Sequence, residues 1–268
     1  MPRIKKMASF LALFSFTSLF CQEPPKASVL VCYGDINADR IRNFKYVILE
    51  SEQYNPFDIR LMKETNELVL GYISVGEVST ARYYFPELKD RTLGKNSLWD
   101  SYYLDLADPV TQNALMGLVD RIKQKGFDGL FLDTVDAYGP WGPHPEKVGA
   151  YVEFISRVKE KYPDFHLMQN SGVSITPRTK DFINSVALES VITDYNFEKS
   201  DYRMRRLSEY NERVAGLKNV EEKYNLPIVL IEYANTKSMF NRVRNQATAL
   251  GWDYFIGNIG LEELPRFK

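Results

Sequence analysis

Asp133 and Asp136 close the stretch Gly126-Phe127-Asp128-Gly129-Leu130-Phe131-Leu132-Asp133-Thr134-Val135-Asp136. Gly126 can stop a helix, and Phe127 to Leu132 is a short apolar segment broken by Asp128 and Gly129. Read as a strand, it puts Leu130 and Leu132 on one face and Phe131 and Asp133 on the other. A carboxylate at the end of a buried strand costs free energy unless it is paired, hydrogen-bonded or used in chemistry. On its own Asp133 reads equally well as a helix cap or an arginine partner. The position recurs, however: Asp35, Glu50, Glu77, Asp133, Asn170, Glu189, Glu232 and Asn258 each follow an apolar run of strand length. Carboxylates gathered on one rim repel and raise one another's pKa, which is a poor way to stabilise a fold. Solvated loop acids are the alternative, best suited to Glu50. Paired carboxylates beside flat apolar rings suit metal-free cleavage of a glycosidic bond, where one carboxyl protonates the leaving oxygen and the other attacks or activates water. Tyr33, Tyr72, Trp141, Tyr195 and Tyr233 are the aromatic residues placed to supply such faces. Two histidines and two cysteines argue against zinc, and an oxygen-ligand Mg²⁺ or Ca²⁺ site is conceivable from carboxylates alone. No cofactor motif accompanies them, and no cofactor is expected.

The strands that would carry these residues are Val29 to Tyr33, Tyr46 to Leu49, Leu68 to Val75, Phe127 to Leu132, His166 to Met168, Val186 to Leu188, Pro227 to Ile231 and Tyr254 to Ile256. Amphipathic segments separate them. Asp108 caps and Pro109 starts a helix with Leu115, Leu118, Val119 and Ile122 on its apolar face, stopped by Gly126. A second carries Val148, Tyr151, Val152, Ile155 and Val158; a long charged one is expected from about Asp201 to Tyr224, and a last from about Ser238 to Leu250. Eight strands alternating with helices over about 245 residues predict a single (β/α)8 TIM barrel, whose strand ends converge on one catalytic face. A doubly wound sheet is the alternative, but no glycine-rich phosphate loop follows the first strand. Thr80 to Asp105, with Tyr83, Tyr84, Phe85, Trp99, Tyr102 and Tyr103, is expected to be an irregular aromatic-rich loop over the mouth, inserted after the third strand.

Arg3, Lys5 and Lys6 precede an apolar run from Met7 to Phe20, the layout of a signal peptide, and Cys21 follows at once. Residues 1–21 are therefore expected to direct export, with Cys21 as a lipid-anchor site, residues 22–27 as a tether and residues 28–268 as the catalytic domain. Ser18-Leu19-Phe20 departs from the usual lipobox. Loss of residues 1–21 takes three of the 34 basic residues and none of the 35 acidic ones, leaving about −4. That balance argues against nucleic acid as a partner. Cys32 reads as a small core residue, and a monomer is expected.

Gly71-Tyr72-Ile73-Ser74-Val75-Gly76-Glu77, Tyr103-Leu104-Asp105-Leu106 and Gly126 to Asp133 together resemble glycoside hydrolase family 114, the endo-α-1,4-polygalactosaminidase-like barrels. The resemblance covers about Val29 to Leu261. It implies a retaining endo-hydrolase of α-1,4-linked galactosamine polymer, exported and acting on a biofilm-type matrix. It maps the paired acids onto Asp133, as nucleophile, and Glu189, as acid/base, without the sequence separating the roles. Asp35, Glu77 and Glu232 would bind the substrate's ammonium groups, and Asp136 would join them on the rim. Gln169 and Asn170 would bond sugar hydroxyls, and Tyr195 would line the cleft. Two other readings stay open: a non-catalytic carbohydrate-binding barrel, and a glycosidase of the same mechanism acting on another glycan.

Overall fold

The computed structural model describes residues 28–267. The signal segment, Cys21 and the tether lie outside the described residues. Strand β1 (Val29–Cys32) leads through a 3-10 turn at Ala38–Arg40 to β2 (Tyr46–Leu49), and α1 (Pro56–Lys63) returns the chain to β3 (Leu68–Ser74). An excursion follows, made of β4 (Glu77–Ser79), α2 (Phe85–Leu88), β5 (Thr92–Asn96) and β6 (Ser101–Leu104). Then come α3 (Pro109–Lys125), β7 (Gly129–Asp133), α4 (Val148–Lys161), β8 (His166–Asn170), α5 (Thr176–Thr179) and β9 (Ser185–Glu189). A second excursion, β10 (Thr193–Asn196) and β11 (Asp201–Met204), precedes α6 (Leu207–Tyr224), β12 (Ile228–Tyr233), α7 (Lys237–Leu250) and β13 (Asp253–Gly257).

The eight strands β1-β2-β3-β7-β8-β9-β12-β13 form one parallel sheet in that order. The sheet curls until β13 lies beside β1. At the closure the Tyr33 amide donates to the Leu261 carbonyl at 2.7 Å, and Lys45 Nζ meets Asp253 Oδ2 at 2.6 Å. The result is a (β/α)8 barrel. Its strands are buried on both faces, by side chains inside and helices outside, so Leu130, Phe131 and Leu132 are all fully buried. Each such burial contributes about 1.5–3 kcal/mol. Gly129 has no alternative at the β7–β8 seam, because a Cβ there would lie 1.9 Å from the His166 carbonyl oxygen.

Helix α3 shows how directly local sequence sets an element. The Asp108 carboxylate accepts from the Val110 and Thr111 amides, Pro109 opens the first turn, and Gly126 ends the helix at φ 96°. Leu115, Val119 and Ile122 are buried against the barrel, and Leu118 packs at its margin.

Two expectations need correction. The segment 80–105 is not an irregular loop: β5 and β6 join β4 in a three-stranded antiparallel sheet beside the mouth. A register slip between Thr92 and Lys95, around Gly94 at φ 126°, breaks the alternation that would have marked β5. The long helix starts at Leu207 rather than near Asp201, because Asp201–Met204 pairs with β10 as a hairpin. Its amphipathic pattern belongs to a strand whose partner lies eight residues earlier, and a helical window over 201–224 averages that signal away.

Candidate active site

Strands β7, β8 and β9 are neighbours in the barrel, and their last residues are Asp133, Asn170 and Glu189. The side chain of Asn170, only 2% exposed, stands between the two acids. Its Nδ2 donates to Asp133 Oδ1 at 2.8 Å and to Glu189 Oε1 at 2.7 Å. Two oxygens bonded to one nitrogen at those distances are at most 5.5 Å apart. Tyr72, on β3, donates its hydroxyl to Asp133 Oδ2 at 3.0 Å, and Tyr233, on β12, donates to Glu189 Oε2. The ring of Tyr33 sits 4.7 Å from that of Tyr72. The half-buried carboxyl pair is thus held by one shared amide and two phenols from three different strands.

This arrangement separates the behaviour of the acids. Burial, and then the nearby charge of Asp133, push the Glu189 carboxyl up to about 7, against the pull of Tyr233 and Asn170. Asp136, in the 3-10 turn just past β7, is accessible within the concavity of the mouth. Desolvation there, with the charges of Asp133 and Glu77, raises its carboxyl too. Burial raises the phenols of Tyr33, Tyr72 and Tyr233 well above their ordinary range, so all three remain donors. Among the described residues no group of three or more His, Cys, Asp or Glu side chains is placed to hold a metal ion.

The structure brings Asp133, Glu189, Asn170, Tyr33, Tyr72 and Tyr233 together, with Asp136 and Glu77 beside them. Asn170 does not offer its amide hydrogens to sugar hydroxyls as expected, since the two carboxylates already take them. Glu77 is tied to the insertion sheet, accepting from Asn96 Nδ2 at 3.0 Å and from the Ser101 hydroxyl. Asp35 is an exposed acid after β1. Glu50 pairs with Arg82 at 2.6 Å, consistent with a role outside the reacting pair.

Two expected site residues are elsewhere. Glu232 is fully buried and accepts from the amides of Val191, Ile192 and Thr193, each at 2.9 Å, and from the Thr193 hydroxyl at 2.7 Å. It anchors the loop that follows Glu189 and binds no ammonium group. Gln169 is fully buried, donating to the carbonyls of Ser171 and Gly172 at 3.1 and 3.2 Å and accepting from Tyr151 at 3.3 Å. The reason is alternation: neighbours on a strand point to opposite faces. Asn170 and Tyr233 face the barrel interior, so Gln169 and Glu232 cannot. Tyr195 stands on the β10–β11 hairpin, its ring against Phe197 and Tyr202 at 4.9 and 4.8 Å.

Other residues also shape the mouth. Arg82 lies over the Tyr72 ring, 5.9 Å from its centroid, while bonded to Glu50. Trp99, at the tip of the β5–β6 hairpin, meets Phe197, at the tip of the β10–β11 hairpin, at 4.9 Å. β3 and β9 are separated by β7 and β8, so this contact joins excursions from opposite sides of those two strands. No local pattern announces such a contact. Trp141, 89% exposed, stands on the loop after Asp136.

Comparison with known proteins matches this geometry to a family. The chain is similar to the glycoside hydrolase domain of PelA from Pseudomonas aeruginosa, with a TM-score of 0.79, 24% identity, and coverage of 88% of this chain and 96% of that one. It is also similar to Ega3 of Aspergillus fumigatus, solved as a complex with galactosamine, with a TM-score of 0.70, 17% identity, and coverage of 92% and 98%. At these identities the likeness is one of fold. Among sequence relatives, the uncharacterized protein MJ1477 of Methanocaldococcus jannaschii is 24% identical over 235 residues, which are 78% of this chain and 66% of that protein. The family model for glycoside-hydrolase family GH114 matches residues 27–263, the whole barrel with both acids in place, so the chain belongs to that family and is a glycoside hydrolase.

Proposed function

We propose that the protein is an endo-hydrolase of α-1,4-linked galactosamine polymer that works with retention, Glu189 serving as acid/base and Asp133 as nucleophile. The single observation that carries this reading is the Asn170 amide shared between the two acids. It keeps their nearest oxygens within 5.5 Å, which fits the separation of about 5–5.5 Å of a retaining pair rather than the wider one of an inverting pair. The assignment of roles follows from charge. Glu189, raised to about 7, holds a proton in mildly acid solution, and Asp133 supplies the negative charge beside it.

In the first step Glu189 gives its proton to the glycosidic oxygen as Asp133 attacks the anomeric carbon and the bond to the leaving sugar breaks. A glycosyl ester on Asp133 results. Glu189, now ionised, takes a proton from a water whose oxygen attacks the same carbon, which frees Asp133 and returns the proton to Glu189. Tyr72 and Asn170 hold Asp133 in line for attack. The phenol of Tyr33, its ring 4.7 Å from that of Tyr72, is suited to a sugar hydroxyl.

The substrate class rests on charge and on likeness. Asp136, Glu77 and Asp35 leave the mouth acidic, which favours a polymer with free ammonium groups, and the related Ega3 was solved with galactosamine. Export and a lipid anchor at Cys21 belong to the same reading, supported by the basic and apolar segments of residues 3–20. Intact-protein mass spectrometry tests the anchor, which an unmodified Cys21 would refute.

The decisive experiment is product analysis on de-N-acetylated α-1,4-galactosamine polymer with wild type, Asp133→Asn and Glu189→Gln. Short oligosaccharides from wild type and a loss of about 10³-fold or more in each variant are expected. Activity within a few-fold of wild type in either variant would remove that residue from the chemistry. Retention of polymer without cleavage would instead favour a binding protein, and cleavage confined to a neutral glycan would move the substrate class.

A further inference from the structure

Eight residues other than glycine among those described adopt positive φ. Five have ordinary settings. Asn43 and Leu261 are in connecting segments, Asp100 and Ser200 turn the two hairpins, and Asn225 caps α6. The other three are Thr134 at 60°, Ser171 at 64° and Ser190 at 55°. Each directly follows one of the residues that build the acid pair: Asp133, Asn170 and Glu189. Left-handed backbone is uncommon for any residue with a Cβ, and for β-branched threonine it is an outlier that the surroundings must enforce.

Each corner has its own brace. At Thr134 the hydroxyl accepts the Gly76 amide at 2.8 Å and lies 2.9 Å from Ser74 Oγ. A Cβ on residue 76 would come within 2.2 Å of the Thr134 carbonyl oxygen, so Gly76 is the residue that lets this corner seat. At Ser171 the carbonyl accepts from Gln169 Nε2. At Ser190 the carbonyl accepts from Arg205 Nε at 2.7 Å, and Glu232 gathers the next three amides. The Ser171 and Ser190 amides still donate to Ala187 and Ile231 of the neighbouring strands, at 2.8 and 2.9 Å. The ladder therefore runs one residue past Asn170 and Glu189 before the chain turns away.

We propose that Thr134, Ser171 and Ser190 are positioning residues of the hydrolase: their left-handed corners end three adjacent strands abruptly, so that Asp133, Asn170 and Glu189 stay in the ladder facing the mouth while the following chain leaves it. Extended backbone at the same positions would carry each strand onward over the acids and free the side chains before them. Gln169 and Glu232, although turned away from the mouth, serve the site through these corners. The inference rests on the reading that Asp133 and Glu189 perform the hydrolysis.

The test compares Thr134→Val, which keeps the shape but removes the brace, with Thr134→Ser, which keeps the hydroxyl. Thr134→Val is expected to lower kcat by about 10²-fold, the cost of a displacement near 1 Å, with KM changed less than about threefold, and Thr134→Ser to return kcat to within about threefold of wild type. A second pair guards against a variant that does not fold. Ser190→Gly, free to adopt positive φ, is expected to keep kcat, and Ser190→Val to lose it. A readout independent of turnover is the side-chain amide resonance of Asn170, which should shift and exchange faster with water in Thr134→Val as one carboxylate lets go. A kcat within threefold of wild type in Thr134→Val and Ser190→Val, equal losses in Thr134→Val and Thr134→Ser, or an unmoved Asn170 amide would each overturn the proposal. If wild type fails to cleave the polymer, the hydrolase reading fails, and the Asn170 amide still decides whether the corner positions the pair.

Discussion

Tyr233→Phe tests the assignment of Glu189 as the general acid. The substitution deletes one oxygen, which donates to Glu189 Oε2, and leaves a buried ring in place. That bond favours ionised Glu189, so its loss must raise the Glu189 pKa. A hydrogen bond to a charged acceptor is worth about 1.5–3 kcal/mol, and 1.36 kcal/mol is one pKa unit. Part of that bond persists when Glu189 is protonated, because the phenol can then accept, so the lower end applies and the expected shift is about one unit. The alkaline limb of kcat should move from about 7 to about 8, with kcat on the acid side reduced only several-fold. The assay is release of reducing ends under saturating polymer from pH 4.5 to 9.5. Substrate ammonium groups lose protons in the same range, so wild type and variant must share one batch of polymer, and the difference between their limbs is the quantity read. A limb that stays within 0.2 units of wild type, or moves down, refutes the assignment of Glu189 as the acid held by Tyr233.

The opposite sign is expected for Asp136→Asn. Asp136's charge raises Glu189, so its removal should move the same limb down, and an upward shift would show that the two do not interact as argued. Glu232→Gln should cost about 1–3 kcal/mol of stability, because an amide nitrogen would have to face a backbone donor; an unchanged urea midpoint would contradict this. His166, half-buried and bonded to Ser185, is pushed down to about 4 by burial and by Lys159 and Lys45. Folding therefore prefers its neutral form. Its contribution is complete above about 6.5, the unfolded value, and is lost as pH falls from there towards 4, a change on the order of 3 kcal/mol. His166→Asn should flatten that part of the urea-midpoint profile, and parallel profiles for wild type and variant would exclude His166 as its source.

The rim of strand-end acids was legible because its signal is local, and the resemblance to family 114 singled out Asp133 and Glu189 from it. Phe127 to Asp133 and Val186 to Glu189 each read as an apolar run ending in a carboxylate, and a barrel sends all such ends to one face. Reading every polar residue at a strand end as a site residue went too far at Gln169-Asn170 and Glu232-Tyr233. The period of two allows only one member of each pair to face inward, and that rule was available from sequence once a single inward residue was fixed. The β4–β6 sheet and the β10–β11 hairpin were hidden for a different reason. Their strands are short, one carries a register slip, and pairing partners are not encoded within a helical-length window.

By itself, the sequence determined the eight-stranded alternation, the limits of helix α3 from Asp108 to Gly126, and a rim of strand-end polar residues that includes Asp133 and Glu189. These depend on patterns spanning only a few residues, namely side-chain period, capping groups and the cost of leaving a carboxylate in an apolar strand. Only the tertiary structure decided that Asn170 bridges the two acids, that Glu232 faces three backbone amides instead of the mouth, and that three left-handed corners end β7, β8 and β9. Each of these depends on which donors and carbonyls a neighbouring strand brings within about 3 Å, and that is fixed only when the barrel closes and sets β7, β8, β9 and β12 side by side.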